Sequence, residues 1–216
     1  MTQFDADYID EEFEEIGKRC KAAVRAYLIG GCAMSFRKLK ETTKDADVVF
    51  DSRREYLAFC GALFGAQYVE TASVTGEHDK LESIKMYENA KGFHLDLFVK
   101  KVCGKMHLSS AMMKRAELHK RHGNLEVFLL SKEDVFLFKT LASESRTRDL
   151  IDLELLYKNL DWKAIKDELA SQKLSKRLTA HVCRRLEDFK TQYNMDVPLL
   201  EELQKTGKLK RNLQMR

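Results

Sequence analysis

The tightest constraint on the chain is Asp45-Ala46-Asp47, which leads straight into Val48-Val49-Phe50. If the apolar piece is a strand, its period of two puts both aspartates on one face, about 6–7 Å apart along the chain. Two carboxylates side by side at the start of an apolar strand repel each other and lose hydration, so they need a counter-charge. A divalent cation is the usual one. Just upstream, the short apolar run Ala26 to Ile29 stops at Gly30-Gly31, followed by a small-residue segment with Ser35 and a polar link from Lys40 to Lys44. A Gly-Gly turn lets backbone amides approach a phosphate closely. The stretch from Tyr27 to Phe50 thus suggests a site for metal and phosphate together.

The flanking sequence reads as alternating helices and strands up to residue 130. Residues 9–25 carry acids in the first turns and bases in the last, which suits an amphipathic helix. A first strand is expected over Ala26 to Ile29, a helix over Cys32 to Leu39 and a second strand over Ala46 to Phe50. Ser52-Arg53-Arg54-Glu55 opens a further helix that ends at Gly65. A strand over 67–71 and a mobile loop over 72–81 follow. Ser83 to Tyr87 and Phe93 to Val99 then read as two strands about a turn at Ala90-Lys91-Gly92. On the second, His94, Asp96 and Phe98 share one face. A helix over 109–115 and a hairpin, 117–120 with 125–130, closed at Gly123-Asn124, complete this region.

From Ser131 the pattern becomes wholly helical. Ser131-Lys132-Glu133-Asp134 is a capping-box pattern, and helices are expected over 132–143, 147–158, 162–171, 174–192 and 197–204. Ser145 or Thr147, Asp161, and Asp196 ahead of Pro198 suit helix starts. The fold class is therefore α+β: a mixed sheet flanked by helices over 1–130, then a helical bundle over 131–216.

Composition narrows the function classes. No run of about 18 apolar residues is present, so no spanning helix and no membrane partner are expected. The acidic start MTQFDADYIDEEFEE lacks the basic and apolar regions of a signal peptide, which points to the cytoplasm. Five cysteines are scattered with no metal-ligand spacing, and His119 and His122 lack cysteine or carboxylate partners at metal-site spacing, so buried free thiols are expected and zinc is not. The net charge of +4 is uneven: residues 1–16 hold seven acids and no base, whereas 205–216 hold five bases and no acid. The basic end suits either a polyanion partner or a solvated tail.

Asp45 and Asp47 with a third aspartate, Asp96, on a later strand form an all-oxygen set that suits Mg²⁺ or Mn²⁺. In two-metal phosphoryl transfer such a set activates an attacking hydroxyl and neutralises a leaving pyrophosphate, and Asp96 could also accept the proton. Ser35 is a candidate hydroxyl donor to a phosphate oxygen. Singly, each feature has a plainer reading: a turn at Gly30-Gly31, surface acids at Asp45 and Asp47, a solvated edge at Asp96. Their order makes the combination informative.

That order resembles the nucleotidyltransferase superfamily with the polymerase-β-like fold, whose signature is Gly-Gly or Gly-Ser, a short helix, Asp-x-Asp on the next strand and a third acid two strands on. The resemblance places Gly30, Gly31 and Ser35 in the phosphate-binding turn, Asp45 and Asp47 as the metal pair, and Asp96 in HLDLF as the third acid. Downstream, EDVFLFKTLASESRTRDLIDLELL is similar to the helical segment of AbiEii-type toxin nucleotidyltransferases, in which a lysine and an aspartate on successive helices reach the active site. Lys139 and Asp149 occupy those places. Taken from the residues alone, Lys139 either snorkels from an apolar helix face or binds a triphosphate oxygen. Asp149 and Asp152 are either caps or surface acids, with Arg146 and Arg148 as pairing partners or as contacts to nucleotide or RNA. For Arg115 the residues favour no role. One departure is Glu41, which stands where many relatives carry an arginine; Thr43 is kept, and Arg37, Lys38 or Lys40 could replace the charge.

The resemblance implies an enzyme that moves a nucleoside monophosphate from a nucleoside triphosphate to an acceptor hydroxyl with Mg²⁺ or Mn²⁺. Gly30, Gly31, Ser35, Thr43, Lys139 and Asp149 would contact the nucleotide. Asp45, Asp47, Asp96 and Lys139 would carry the chemistry. RNA, a tRNA end in particular, is the favoured acceptor; a protein hydroxyl or small molecule, and a partner protein in a toxin–antitoxin pair, stay open. The competing class is a non-catalytic nucleotide- or RNA-binding module on the same fold.

Overall fold

The computed structural model describes residues 2–71, 85–141, 147–201 and 203. The loop expected over 72–81, Ser145, Arg146, the side chain of Arg148 and the basic stretch 205–216 lie outside the described residues. The chain divides into two compact units, Met1–Ser131 and Lys132–Arg216.

The first unit is built on a mixed sheet. Its strands are β2 (Val24–Ile29), β4 (Asp45–Phe50), β5 (Val69–Thr71), β6 (Lys85–Glu88), β7 (His94–Val99), β10 (Glu117–His122) and β11 (Leu125–Leu129). Among the described residues the order is β10-β11-β2-β4-β7-β6-β5. The pairs β11/β2 and β4/β7 are parallel; the others are antiparallel. Two short antiparallel pairs form separately: β1 (Phe4–Asp5) with β3 (Thr42–Thr43), and β8 (Lys101–Val102) with β9 (Met106–His107).

The central strands β4 and β7 are almost continuously apolar where both faces are covered, as buried strands must be. On one face, helix α3 (Arg53–Gly65) packs Tyr56 and Phe59 against Phe50, with ring centroids 6.0 and 5.1 Å apart. The alternate positions Asp45 and Asp47 therefore turn to the other face. Ser52 caps α3 by accepting from the Glu55 amide at 3.2 Å. Helix α2 (Gly30–Phe36) follows β2 without a break.

Several boundaries differ from the sequence reading, those nearest the glycine pair among them. Helix α1 (Ala6–Gly17) stops eight residues before the expected end at residue 25, and β2 starts at Val24 rather than Ala26. The cause is non-local: a Cβ on Gly17 would stand 2.4 Å from the His122 carbonyl oxygen, so the end of β10 lies against the helix terminus. Val24 to Leu28 are aligned with Leu125 to Leu129 of β11, and that pairing takes over the residues whose composition suits a helix. Helix α2 begins at Gly30, two residues early, and ends at Phe36, with Lys38 in the left-handed region at φ 57°. The β8–β9 hairpin was not expected; Cys103 and Gly104 turn it with φ of 52° and 61°.

The second unit is helical, as expected: α5 (Lys132–Thr140), α6 (Thr147–Tyr157), α7 (Trp162–Ser171) and α8 (Lys176–Tyr193), numbered after α4 (Ser110–Arg115) in the first unit. Phe136, Tyr157, Trp162 and Phe189 form its aromatic centre, with ring centroids 5.6–6.1 Å apart. Asp161 caps α7, accepting from the amides of Lys163 and Ala164.

Candidate active site

Gly30 and Gly31 start α2 at the end of β2, and both are there because a side chain has no room. Gly30 has φ +64°, and a Cβ on it would meet Asp47 Oδ2 at 2.2 Å. A Cβ on Gly31 would meet Thr43 Oγ1 at 2.6 Å. The glycine turn therefore lies directly against the first carboxylate strand, with Ile29 paired to Asp47 across β2/β4. Thr43 donates from Oγ1 to the Asp45 carbonyl at 3.2 Å. On α2, Ser35 is 3 % exposed, and its hydroxyl is buried with no hydrogen-bond partner among the described residues.

The three aspartates share a face. Asp47 of β4 is aligned with Asp96 of β7, and Asp45 with His94. Registered neighbours on adjacent strands point to the same side, and Asp45 and Asp47 are two apart. A one-residue slip of β7 would carry Asp96 to the α3 face. Asp96 is 1 % exposed, and Asp45 and Asp47 are half-buried. Their field is felt nearby: Cys32 on α2 has its thiol pushed well above its ordinary pKa, first by burial and then by the charges of Asp47 and Asp45. His94 is the neighbour that the sequence reading placed on this face without giving it a role.

Among the described residues no three His, Cys, Asp or Glu side chains form a ready metal cage. Mg²⁺ rarely uses one; it binds through one or two carboxylates and takes substrate phosphates and waters for the rest. The donor set, all carboxylate oxygen beside a turn with no room for a Cβ, fits such an ion.

Charges around the turn are distributed otherwise than the sequence suggested. Glu41 is exposed. Arg37, a candidate replacement for the missing arginine, ties the end of α2 to the β10–β11 edge: it donates to the carbonyls of Ala33 at 3.3 Å and Leu129 at 3.4 Å, and stands 3.7 Å from Glu117. On the same edge, Asp10 of α1 approaches His122 at 3.3 Å and His119 at 3.5 Å and pairs with Lys120. The two histidines thus do have a carboxylate partner, supplied from more than 100 residues away. Burial pushes the Asp10 carboxyl up, but the hydrogen bond from Lys120 and the charges of Lys120, His122 and His119 hold it below its ordinary 3.8.

Within the helical unit, Lys139 of α5 stands 3.1 Å from Asp149 and 2.6 Å from Asp152, both on α6. Asp149 is 1 % and Asp152 3 % exposed, so neither is a surface acid; the i, i+3 spacing aims both at the lysine. Lys139 is correspondingly shielded rather than snorkelling into solvent. Gly30, Gly31, Ser35, Thr43, Asp45, Asp47 and Asp96 belong to the first unit, and Lys139 and Asp149 to the second.

A family model described as "Nucleotidyltransferase of unknown function (DUF6036)" matches residues 7–198. Among solved structures, one from H. pylori, provisionally named a nucleotidyltransferase, has a TM-score of 0.44 at 14 % identity, covering 94 % of this chain and 89 % of that one. JHP933 from Helicobacter pylori has a TM-score of 0.43 at 13 % identity, covering 94 % and 87 %. No curated protein matches.

Proposed function

Because the chain belongs to the DUF6036 family of nucleotidyltransferases, we propose that it transfers a nucleoside monophosphate from a nucleoside triphosphate to an acceptor hydroxyl, releasing pyrophosphate. The observation that carries this reading is the alignment of Asp47 with Asp96 on one sheet face, with Gly30 against the Asp47 carboxylate. Asp45, Asp47 and Asp96 would hold Mg²⁺ or Mn²⁺. A bound divalent cation supplies charge neutralisation for the triphosphate and makes the acceptor hydroxyl more acidic.

The chain's own residues do the rest. The backbone at Gly30-Gly31 approaches the phosphates without a side chain in the way. The Ser35 hydroxyl donates to a phosphate oxygen, and Thr43 steadies the loop ahead of Asp45. Asp96, the most buried of the three acids, accepts the proton of the acceptor hydroxyl. Lys139, which pairs with Asp149 and Asp152 within the helical unit, is assigned to the triphosphate as a point charge. The similarity of its helical segment to AbiEii-type enzymes supports that role. The basic stretch 205–216 supports an RNA acceptor, a tRNA end in particular, because phosphate contacts need lysine and arginine.

Incubation with each labelled nucleoside triphosphate, Mg²⁺ or Mn²⁺, and total tRNA or total protein tests this. Label should pass to the tRNA fraction and be lost in Asp47→Asn. No transfer to any acceptor, with Asp47→Asn binding nucleotide like wild type, would refute the enzyme and leave a binding module.

A further inference from the structure

His94 stands on the carboxylate face with one ring nitrogen unsatisfied among the described residues. It is aligned with Asp45 across the parallel β4/β7 pair, two residues before Asp96, so its side chain lies on the carboxylate face. Across the antiparallel β6/β7 pair its registered neighbour is Glu88, whose Oε1 is 3.6 Å from His94 Nε2, beyond hydrogen-bond length. The other ring nitrogen, Nδ1, is buried with no hydrogen-bond partner among the described residues. A buried polar atom left unsatisfied is costly, and native proteins keep few of them. The imidazole therefore stands between two carboxylates on neighbouring strands, close to one through Nε2 and with Nδ1 uncommitted.

We propose that His94 is a positioning residue for Asp45: its Nδ1–H donates to the Asp45 carboxylate when a divalent cation and triphosphate draw that carboxylate into place. Asp45 Oδ1 already has the Thr43 hydroxyl at 3.5 Å, and His94 would add a second donor that orients the carboxylate toward the cation, the usual contribution of a hydrogen-bonded partner behind a metal-binding carboxylate. This rests on the reading of Asp45 as a metal ligand, and its failure is separable from the failure of that reading.

The test is direct Mn²⁺ binding to the full chain, counted as free Mn²⁺ by electron paramagnetic resonance, for wild type, Asp45→Asn, His94→Ala, His94→Asn and His94→Gln. Thermal melts confirm that each is folded. The asparagine amide can donate from near the Nδ1 position, whereas the glutamine amide reaches toward Nε2 and Glu88. His94→Ala and His94→Gln should weaken Mn²⁺ binding by about 10-fold or more, the loss typical of a missing partner behind a ligand. His94→Asn should stay close to wild type. If His94→Ala binds Mn²⁺ like wild type, or if glutamine restores binding as well as asparagine, the positioning role is wrong while the metal site stands. If Asp45→Asn binds Mn²⁺ like wild type, the metal site itself is wrong and the role of His94 falls with it.

Discussion

Gly30→Ala is a sharp test of whether the glycine turn and the carboxylates form one device. At φ +64° an alanine is strained wherever it is placed, at about 1–2 kcal/mol relative to glycine. For a chain of this size that corresponds to a melting temperature lower by about 2–8 °C. The second cost is local. The new methyl would meet Asp47 Oδ2 at 2.2 Å where ordinary contact begins at 3.4 Å, so the carboxylate must retreat by about 1 Å. A displacement of that size at a reacting centre typically lowers turnover about 100-fold. The melt reads the first effect, and Mn²⁺ binding and nucleotidyl transfer read the second. In an Asp47→Ala background the steric part should vanish and the strain remain, so the two substitutions should be non-additive in stability. Additive effects, or a Gly30→Ala protein with wild-type metal binding, would refute the close approach of turn and carboxylate.

Three further outcomes follow from the geometry. Lys139→Met leaves Asp149 and Asp152 buried together without the cation between them, and should destabilise the helical unit by about 3–5 kcal/mol in urea unfolding. Asp10→Asn removes a carboxyl whose folded pKa is held below 3.8; such a group stabilises above its unfolded pKa and loses that contribution as pH falls through the folded one. Wild type should therefore melt above Asp10→Asn near neutral pH, with the two curves converging below about pH 3.8. Native alkylation, followed by mass spectrometry, should modify the half-buried Cys103 and Cys183 and spare Cys20, Cys32 and Cys60, all five reacting after denaturation; burial pushes Cys20 up to about 11.

The sequence was most legible where local pattern and tertiary demand agree. Asp45-Ala46-Asp47 before Val48-Val49-Phe50 reads as a strand with both acids on one face, and it is one, because the period of two survives whatever packs against it. Gly30-Gly31 reads as the stop that ends β2, and α2 starts there. The failures all involve distant partners. Lys18 to Arg25 suit a helix, but His122 against Gly17 and the β2/β11 pairing decide otherwise. Asp149 and Asp152 look like caps or surface acids until the preceding helix supplies Lys139. Asp10 could not be matched to His119 and His122 from spacing at all. His94 was visible on the right face, but its alignment with Asp45 depends on the parallel register, which no local motif encodes.

The place of β4 in the sheet has a consequence for where the protein can move. Strand β4 is flanked by β2 and β7, and its backbone amides open only when the middle of the sheet opens. Hydrogen exchange should therefore be slowest around Ala46 to Val49, next to the acids, and faster at the edge strands β5 and β10. The carboxylates ride on the part of the first unit that unfolds last, so adjustment during a reaction falls to side-chain rotation and to the incoming substrate, with the sheet beneath them acting as a fixed mount.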